Sequence, residues 1–543
     1  MNNKDFTIRK GRNYSVLSTR DYGEIVFGCP PGIVKEFIKQ KRPLPSKYIF
    51  PLNTFHNGQN NFDFEFIFYS FLFTRAQGNM VSAYCRPEQE KRFRKILNET
   101  LFGPRFDQLL EAQNHKILNR KDFNEKDRRN FKILLQKGIA QNKKLFNLFE
   151  SNLKIHASET SIRKIIKVFF DNKIIPKQKW LLKKNIASLS TKLTGNYIQC
   201  AQLRKEFELF LLATEEKRDE FISQTIKFYH IDKSGTVYIK AEQNKHKKLK
   251  IFQVKSWEFE VFEGKLKRSH ININHKISTP VSKSKNFIQP FFGVTFLGVG
   301  SGFCQNTENS SIVIWSEGKG ILVDVVNKSR SHAAKYGIND NDINYIFLTH
   351  VHSDHDSGIL EKILNFDQTY IISTHIIYES FLRKASAITG MPIKTIQGYC
   401  VFIEVEPKKK LKVPGFKNTY FEFDYSLHSI PTGRFKIIYA KGKMQKSIAH
   451  SGDTKYDFLK INRWYSEGAF TKRRKEKILG FIWDSDLVIH DVGGGLLHTN
   501  YEALLNFPTP VKSKIILVHQ NDKPIHNAEL RFAVEGETIA LLP

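Results

Sequence analysis

Between positions 350 and 355 the chain reads His-Val-His-Ser-Asp-His, three imidazoles and one carboxylate in six residues, directly after the mostly apolar run 343–348. An apolar run that short, ended by polar residues, reads as a buried strand, which puts the cluster where the strand passes into a loop. A strand end holds the backbone in place while the loop after it turns its side chains back toward one point. That convergence is what metal coordination needs. The donors are imidazole nitrogens and carboxylate oxygens without thiolate, a set that suits zinc and also admits manganese or iron. The cluster is therefore read as a metal site held at the end of a buried strand.

Length sets the next bound. At 543 residues with 41% hydrophobic content, the chain exceeds what one ordinary core accommodates, and two or three domains are expected. No basic start followed by an apolar stretch opens it, and no run of 18 apolar residues occurs, which predicts a soluble, cytoplasmic protein without a membrane span. The five cysteines, Cys29, Cys85, Cys200, Cys304 and Cys400, are scattered, odd in number and form no C-x-x-C pair, as fits a reducing compartment. The formal charge of +31 is uneven: residues 1–290 carry +27 and residues 291–543 only +4. Such an excess favours a nucleic acid or nucleotide as partner, because each phosphate contact releases condensed counterions, although a Lys-rich solvated surface gives the same count. Two runs concentrate the charge, Lys245-His-Lys-Lys-Leu-Lys250 and Thr471-Lys-Arg-Arg-Lys-Glu-Lys477. In the first, Lys247, Lys248 and Lys250 are the candidate nucleic-acid contacts.

Residues 1–95 alternate turn signals with apolar runs such as Phe62-Asp-Phe-Glu-Phe-Ile-Phe-Tyr-Ser-Phe-Leu-Phe73, and they predict a small α/β unit. Residues 96–230 repeat apolar positions three and four apart among Lys, Glu and Gln, with few Gly or Pro, as a basic helical region would. Residues 231–290 turn to short β-branched and aromatic runs, Thr236-Val-Tyr-Ile239 and Trp257-Glu-Phe-Glu-Val-Phe262, then to a Ser- and Lys-rich linker at 278–286. No internal repeat is visible. Residues 291–543 form the last unit and hold the metal cluster.

A hydrophobic strand ending in H-x-H-x-D-H resembles the signature of the metallo-β-lactamase superfamily, and the resemblance covers about 250 residues to the C-terminus. It implies an α/β fold, an αββα sandwich with a two-metal site at one edge. The later motifs of the superfamily follow in order. Ser451-Gly-Asp-Thr454 resembles the turn that carries a bridging aspartate, Ile515-Ile-Leu-Val-His519 resembles the last strand ending in a histidine ligand, and His428 precedes a strand as the intermediate histidine does. By that resemblance His350, His352 and His428 hold one metal, Asp354, His355 and His519 hold the other, and Asp453 bridges them. Two zinc ions are implied, with manganese or iron also compatible. Paired metals acidify a water and clamp the attacking and leaving oxygens, which suits phosphodiester hydrolysis, and Asp354 would also orient the nucleophile.

Leu297-Gly-Val-Gly-Ser-Gly302 with Asn309-Ser-Ser-Ile-Val-Ile314 resembles the opening hairpin of the ribonuclease Z-like branch. The glycines lack the spacing of a dinucleotide fingerprint and read as a tight strand connection. Asp324, ending Ile321-Leu-Val-Asp324, reads as structural. In that branch a His-Ser/Thr pair assists proton transfer to the leaving group, a role that falls here on His498 in Asp491-Val-Gly-Gly-Gly-Leu-Leu-His498-Thr499; capping or packing is the plain alternative. Two features depart from bacterial ribonuclease Z: the loop 440–446 replaces a long gripping arm, and Asp491 stands in place of Glu. The expectation is a metal-dependent phosphodiesterase or nuclease. The basic half favours nucleic acid as substrate, with a cyclic nucleotide, or a sensor role for that half, as alternatives.

Overall fold

The computed structural model describes residues 6–56, 58–118, 183–210, 213–240, 248–255, 257–263, 267–273, 287–365, 368–522 and 528–543. Apolar runs between turn residues in the first 95 positions fold into strands β1 (Phe6–Gly11), β2 (Tyr14–Thr19), β3 (Gly23–Phe27), β4 (Lys47–Ile49), a two-residue hairpin of β5 (Phe55–His56) and β6 (Gln59–Asn60), and β7 (Val81–Cys85). The sheet is completed from much later in the chain by β8 (Ile226–His230), giving the order β1-β2-β3-β4-β7-β8. Strands β9 (Thr236–Lys240), β10 (Lys248–Lys255), β11 (Glu258–Glu263) and β12 (Lys267–Asn272) form an antiparallel second sheet, as the β-branched and aromatic runs predict.

In the C-terminal half one seven-stranded sheet has the order β18-β17-β16-β15-β14-β13-β26. Its members are β13 (Phe292–Gly298), β14 (Ser311–Ser316), β15 (Lys319–Val323), β16 (Tyr345–Phe347), β17 (Thr369–Ser373), β18 (Cys400–Glu404) and the closing strand β26 (Thr538–Leu542). The facing sheet runs in sequence from β19 to β25: β19 (Lys410–Lys412), β20 (Thr419–Tyr425), β21 (Gly433–Lys441), β22 (Met444–His450), β23 (Leu487–Asp491), β24 (Ile515–Val518) and β25 (Arg531–Phe532). Strands β13 and β14 are buried along their whole length, as strands inside a sandwich must be. This is the αββα sandwich expected for 291–543.

The two halves share a plan that the sequence hides. β1-β2-β3-β4-β7-β8 and β13-β14-β15-β16-β17-β18 both begin with two antiparallel pairings and continue with three parallel ones. Their hydrogen bonds match at equivalent places: Gly28 N donates to Ile49 O as Asp324 N does to Phe347 O, and Phe50 N donates to Tyr84 O as Leu348 N does to Ile372 O. Each half then adds a four-stranded antiparallel meander, β9 to β12 or β19 to β22. The N-terminal copy has Leu52 and Thr54 where the C-terminal copy has His350 and His352, and Gly28 where it has Asp324. It therefore keeps the frame without the ligands.

This plan revises the expected divisions. The boundary at 95/96 falls inside the helix Pro87–Phe102, and β8, from the end of the supposed helical region, belongs to the first sheet. Helices Phe106–Gln113 and Lys183–Glu208 lie in that region as periodicity predicts, whereas residues 119–182 and the linker 278–286 lie outside the described residues. One contiguous apolar core includes residues of both halves, from Phe37 and Phe68 to Val294 and Phe347. Ion pairs join them too: Glu206 accepts from Arg474 at 2.7 Å and Glu404 from Lys116 at 2.7 Å. Among the described residues no helix is long and apolar enough to cross a membrane.

Candidate metal centre

The candidate ligands sit beyond the ends of strands. His350 follows β16, Asp453 follows β22, His519 follows β24, and His428 lies in the short connection from β20 to β21. Parallel strands all end on the same side of a sheet, so residues far apart in sequence meet there. His350 Nε2 lies 3.0 Å from His352 Nδ1, which lies 3.3 Å from His428 Nε2. One ligand atom from each of these three and from Asp453 fall within 4.8 Å of one another. A second set gathers beside it: His519 Nε2 is 3.3 Å and His355 Nε2 3.6 Å from Asp354 Oδ2. Asp453 Oδ2 stands between the sets, 3.7 Å from His350 Nε2, 3.2 Å from His355 Nε2 and 3.6 Å from His519 Nε2. All seven candidates converge, in the grouping that the resemblance implies.

The donor set fits divalent metals. Three ring nitrogens facing one another at about hydrogen-bond distance share no proton-donor arrangement that satisfies them all, and a cation at their centre does. His355 Nε2 is buried and lies 3.2 Å from Asp453 without hydrogen-bond geometry. Burial, reinforced by neighbouring imidazoles, pushes His350 and His352 well below the usual histidine range; burial also brings His428 down to about 4. This set is neutral and ready to ligate. At the other set burial works against protonation, but Asp453, Asp354 and Asp491 outweigh it and hold His519 up to about 10. A field that draws protons onto buried imidazoles is one that favours a metal cation.

Outer partners fix the rings. Asp324 accepts from Thr349 N and Thr349 Oγ1 and holds His355 Nδ1 at 2.8 Å, while Thr349 Oγ1 also meets His350 Nδ1 at 2.9 Å. Asp324, read from sequence as structural, thus positions a candidate ligand, His355. It and His519 adopt left-handed backbone angles, φ 56 and 57, a strain that marks them as constrained by the site. Asp491 lies 3.4 Å from His519 Nδ1 and 3.0 Å from His498 Nδ1. Gly493 must be glycine, because a Cβ there would come within 2.8 Å of His519 Nδ1 and 2.9 Å of His498 Cγ.

One partner comes from the N-terminal half and was missed. Glu65, fully buried in the helix Glu65–Leu72, accepts from Ser353 N at 3.0 Å and places Oε1 3.9 Å from His352 Nε2. The signal was present: Asp63 and Glu65 are two acids inside a run that is otherwise aromatic and aliphatic. Glu65→Ala is expected to weaken metal affinity about 10- to 100-fold, as loss of a ligand's outer partner does, measured by competition with a chelating dye.

Lys247 is outside the described residues; Lys248 begins β10, and the Lys250 ammonium sits 5.8 Å over the Tyr238 ring. Among the described side chains, Lys250 is not part of the cleft lining at the metal centre. In the second basic run Arg474 and Lys477 are bound to Asp424, so they hold the fold together. The missing arm is confirmed, since β21 and β22 pair as far as Lys441 and Met444 in a tight hairpin.

The profile of the family described as "Anti-Pycsar protein Apyc1" matches residues 292–538. The cAMP/cGMP-dependent 3′,5′-cAMP/cGMP phosphodiesterase B of Dictyostelium discoideum is 38% identical over 255 residues, 46% of this chain and 22% of that protein. The cGMP-dependent 3′,5′-cGMP phosphodiesterase A of the same organism is 32% identical over 263 residues, 48% and 29% of the two chains. The chain thus spans less than a third of the length of these relatives. Among solved structures, the metallo-β-lactamase fold protein YhfI from Bacillus subtilis is 18% identical, with 46% of this chain and 99% of that one covered at a TM-score of 0.33. With the sandwich, the order of its motifs and the convergence of seven candidate ligands on one edge, the C-terminal half of this chain has the metallo-β-lactamase fold.

Proposed function

We propose that the chain is a zinc-dependent phosphodiesterase that opens a 3′,5′-cyclic nucleotide, acting in the cytoplasm, where its five unpaired cysteines would stay reduced. The observation that carries this reading is the position of Asp453 Oδ2 within 3.7 Å of imidazole nitrogens from both ligand sets. Bound there, two zinc ions would supply an activated water and a clamp on the phosphoryl oxygens. Asp354, buried against His355 and His519, is kept well below the ordinary carboxylate range because these imidazoles outweigh the effect of burial, so it is an anionic acceptor that can orient the attacking water. His498 lines the cleft with Nδ1 engaged by Asp491, which leaves Nε2 to deliver a proton to the departing sugar oxygen. Asp491 stays ionised beneath it, as His498 and His519 offset its burial, and so supports the imidazolium.

The cyclic substrate is favoured by the relatives' names and by the cleft lining, in which Lys460 is the single Lys or Arg among the described residues. A long phosphate backbone finds no row of cations there. The alternative, RNA held by the basic half, is supported by the +27 excess and by Lys248 and Lys250. Comparing kcat/KM of metal-replete full chain for 3′,5′-cyclic AMP and for structured RNA decides between them. Preference for the cyclic nucleotide supports the reading, and efficient RNA cleavage with a steep salt dependence of binding overturns it.

The proton role has its own test. His498→Ala is expected to lower kcat for cyclic AMP about 10²- to 10⁴-fold, and to affect bis(p-nitrophenyl) phosphate far less, because nitrophenolate leaves without a proton. Equal losses on both substrates would assign His498 to structure.

A further inference from the structure

The cleft above the metal centre is built by both halves of the chain. It encloses about 530 Å³, a size suited to a small organic ligand. His352, Asp354, Asp453, His498 and His519 line one part of it. Facing them, the Glu65–Leu72 helix and the residue after it contribute Phe66, Tyr69 and Phe73, the end of the Lys183–Glu208 helix leads to Phe210, and the catalytic half adds Phe303 and Leu496.

This wall is fitted closely to the ligands. Gly302 lies between Phe66 and Asp354; a Cβ there would come 2.2 Å from the Phe66 ring and 3.0 Å from Asp354 Oδ2, so only glycine lets the N-terminal half approach this near. Phe66 meets Phe303 edge to face at a centroid distance of 5.0 Å. At the mouth, however, large apolar side chains stand in water: Phe73 is 76% exposed, Leu496 70% and Phe303 37%. Apolar surface gathered at one catalytic cleft marks what a ligand covers. The lining combines aromatic rings with one lysine. That suits a ligand with one flat apolar group and one phosphate, and it does not suit a polyanion.

We propose that Phe66, Tyr69, Phe73 and Phe303 form the nucleobase subsite of the enzyme, so that the ligand-free copy of the sandwich plan supplies base recognition to the catalytic copy. The inference rests on the phosphodiesterase reading and adds the part of the substrate that the metals do not touch. Stacking a base on aromatic side chains contributes binding, whereas the phosphodiester bond is broken at the metal centre; the rings therefore act on KM more than on kcat.

The test compares 3′,5′-cyclic AMP with its base-free analogue, the methyl riboside 3′,5′-cyclic phosphate, in zinc-loaded wild type, Phe73→Ala and Phe303→Ala. Both substituted side chains are exposed enough for the fold to tolerate their loss. Wild type is expected to show a KM for the base-free compound about tenfold or more above that for cyclic AMP, and each variant to shrink that ratio several-fold by raising the cyclic AMP value. The dissociation constant of AMP, measured by calorimetry, should rise in parallel, a readout that needs no turnover. Equal KM values for the two compounds in wild type, or variants that leave the ratio unmoved, overturn the subsite while the phosphodiesterase reading stands. If metal-replete wild type opens neither cyclic phosphate, the phosphodiesterase reading fails and the subsite with it.

Discussion

Asp453→Ala is expected to reduce cyclic-phosphodiester turnover by about a thousandfold or more, even in protein dialysed against excess zinc. Asp453 Oδ2 is the atom that reaches both ligand sets, at 3.7 Å from His350 and 3.2 Å from His355. If two metals bind there, removing it would take away a shared anionic ligand and leave two dications side by side without the charge that offsets their repulsion. Each set retains three other donors, so the variant should bind metal weakly at one set and lose paired occupancy. The sandwich core does not include this side chain, and thermal stability of the metal-free protein should change little. Turnover within tenfold of wild type at full metal loading would contradict a role between two metals.

The second large effect is on stability. Asp424 is 3% exposed in β20 and accepts from Arg434 at 2.6 Å, Arg474 at 2.8 Å and Lys477 at 3.0 Å, while Arg474 also binds Glu206 of the N-terminal half. Burial works to raise its pKa, but Arg474, Arg434 and Lys477 outweigh it and hold the carboxyl well below the ordinary range. Asp424→Asn leaves buried guanidinium groups without their shared anion and is expected to cost about 3–5 kcal/mol in denaturant unfolding. The pH dependence has a definite sign. A folded pKa below the unfolded value of about 4 means that this stabilisation is present above pH 4 and is lost as pH falls toward the folded value. Wild type should therefore lose its advantage over Asp424→Asn on acidification below about pH 4. A constant difference between the two proteins down to pH 2 would show that Asp424 does not titrate as its surroundings require.

The metal centre was legible because its chemistry is written locally. His350 to His355 is one short run, and Asp453 and His519 each follow an apolar strand, so residue type and position were both visible. His428 and His498 were readable only through the resemblance, and the structure brings both rings to the centre, 5.3 Å apart. The N-terminal half was read poorly. β8 pairs with β7 across more than a hundred intervening residues, and a strand of five residues carries no mark of a partner so distant. The shared plan of the two halves was invisible for the same reason: what repeats is strand order and hydrogen bonding, not residue identity. The second basic run, 471–477, was opaque in a different way: a count treats every cation alike, while Arg474 and Lys477 are held inside the fold by Asp424. Glu65 was passed over because burial of an acid shows only once its partner, the loop at Ser353, is in place.

The most direct test is native mass spectrometry of the 543-residue chain titrated with zinc, each sample assayed with 3′,5′-cyclic AMP. The seven converging candidate ligands predict two zinc ions per chain, with hydrolysis rising as the doubly loaded species forms and disappearing when a chelator removes it. A chain that is fully active with a single metal, or one that holds two zinc ions and leaves the cyclic phosphodiester intact, would contradict the account.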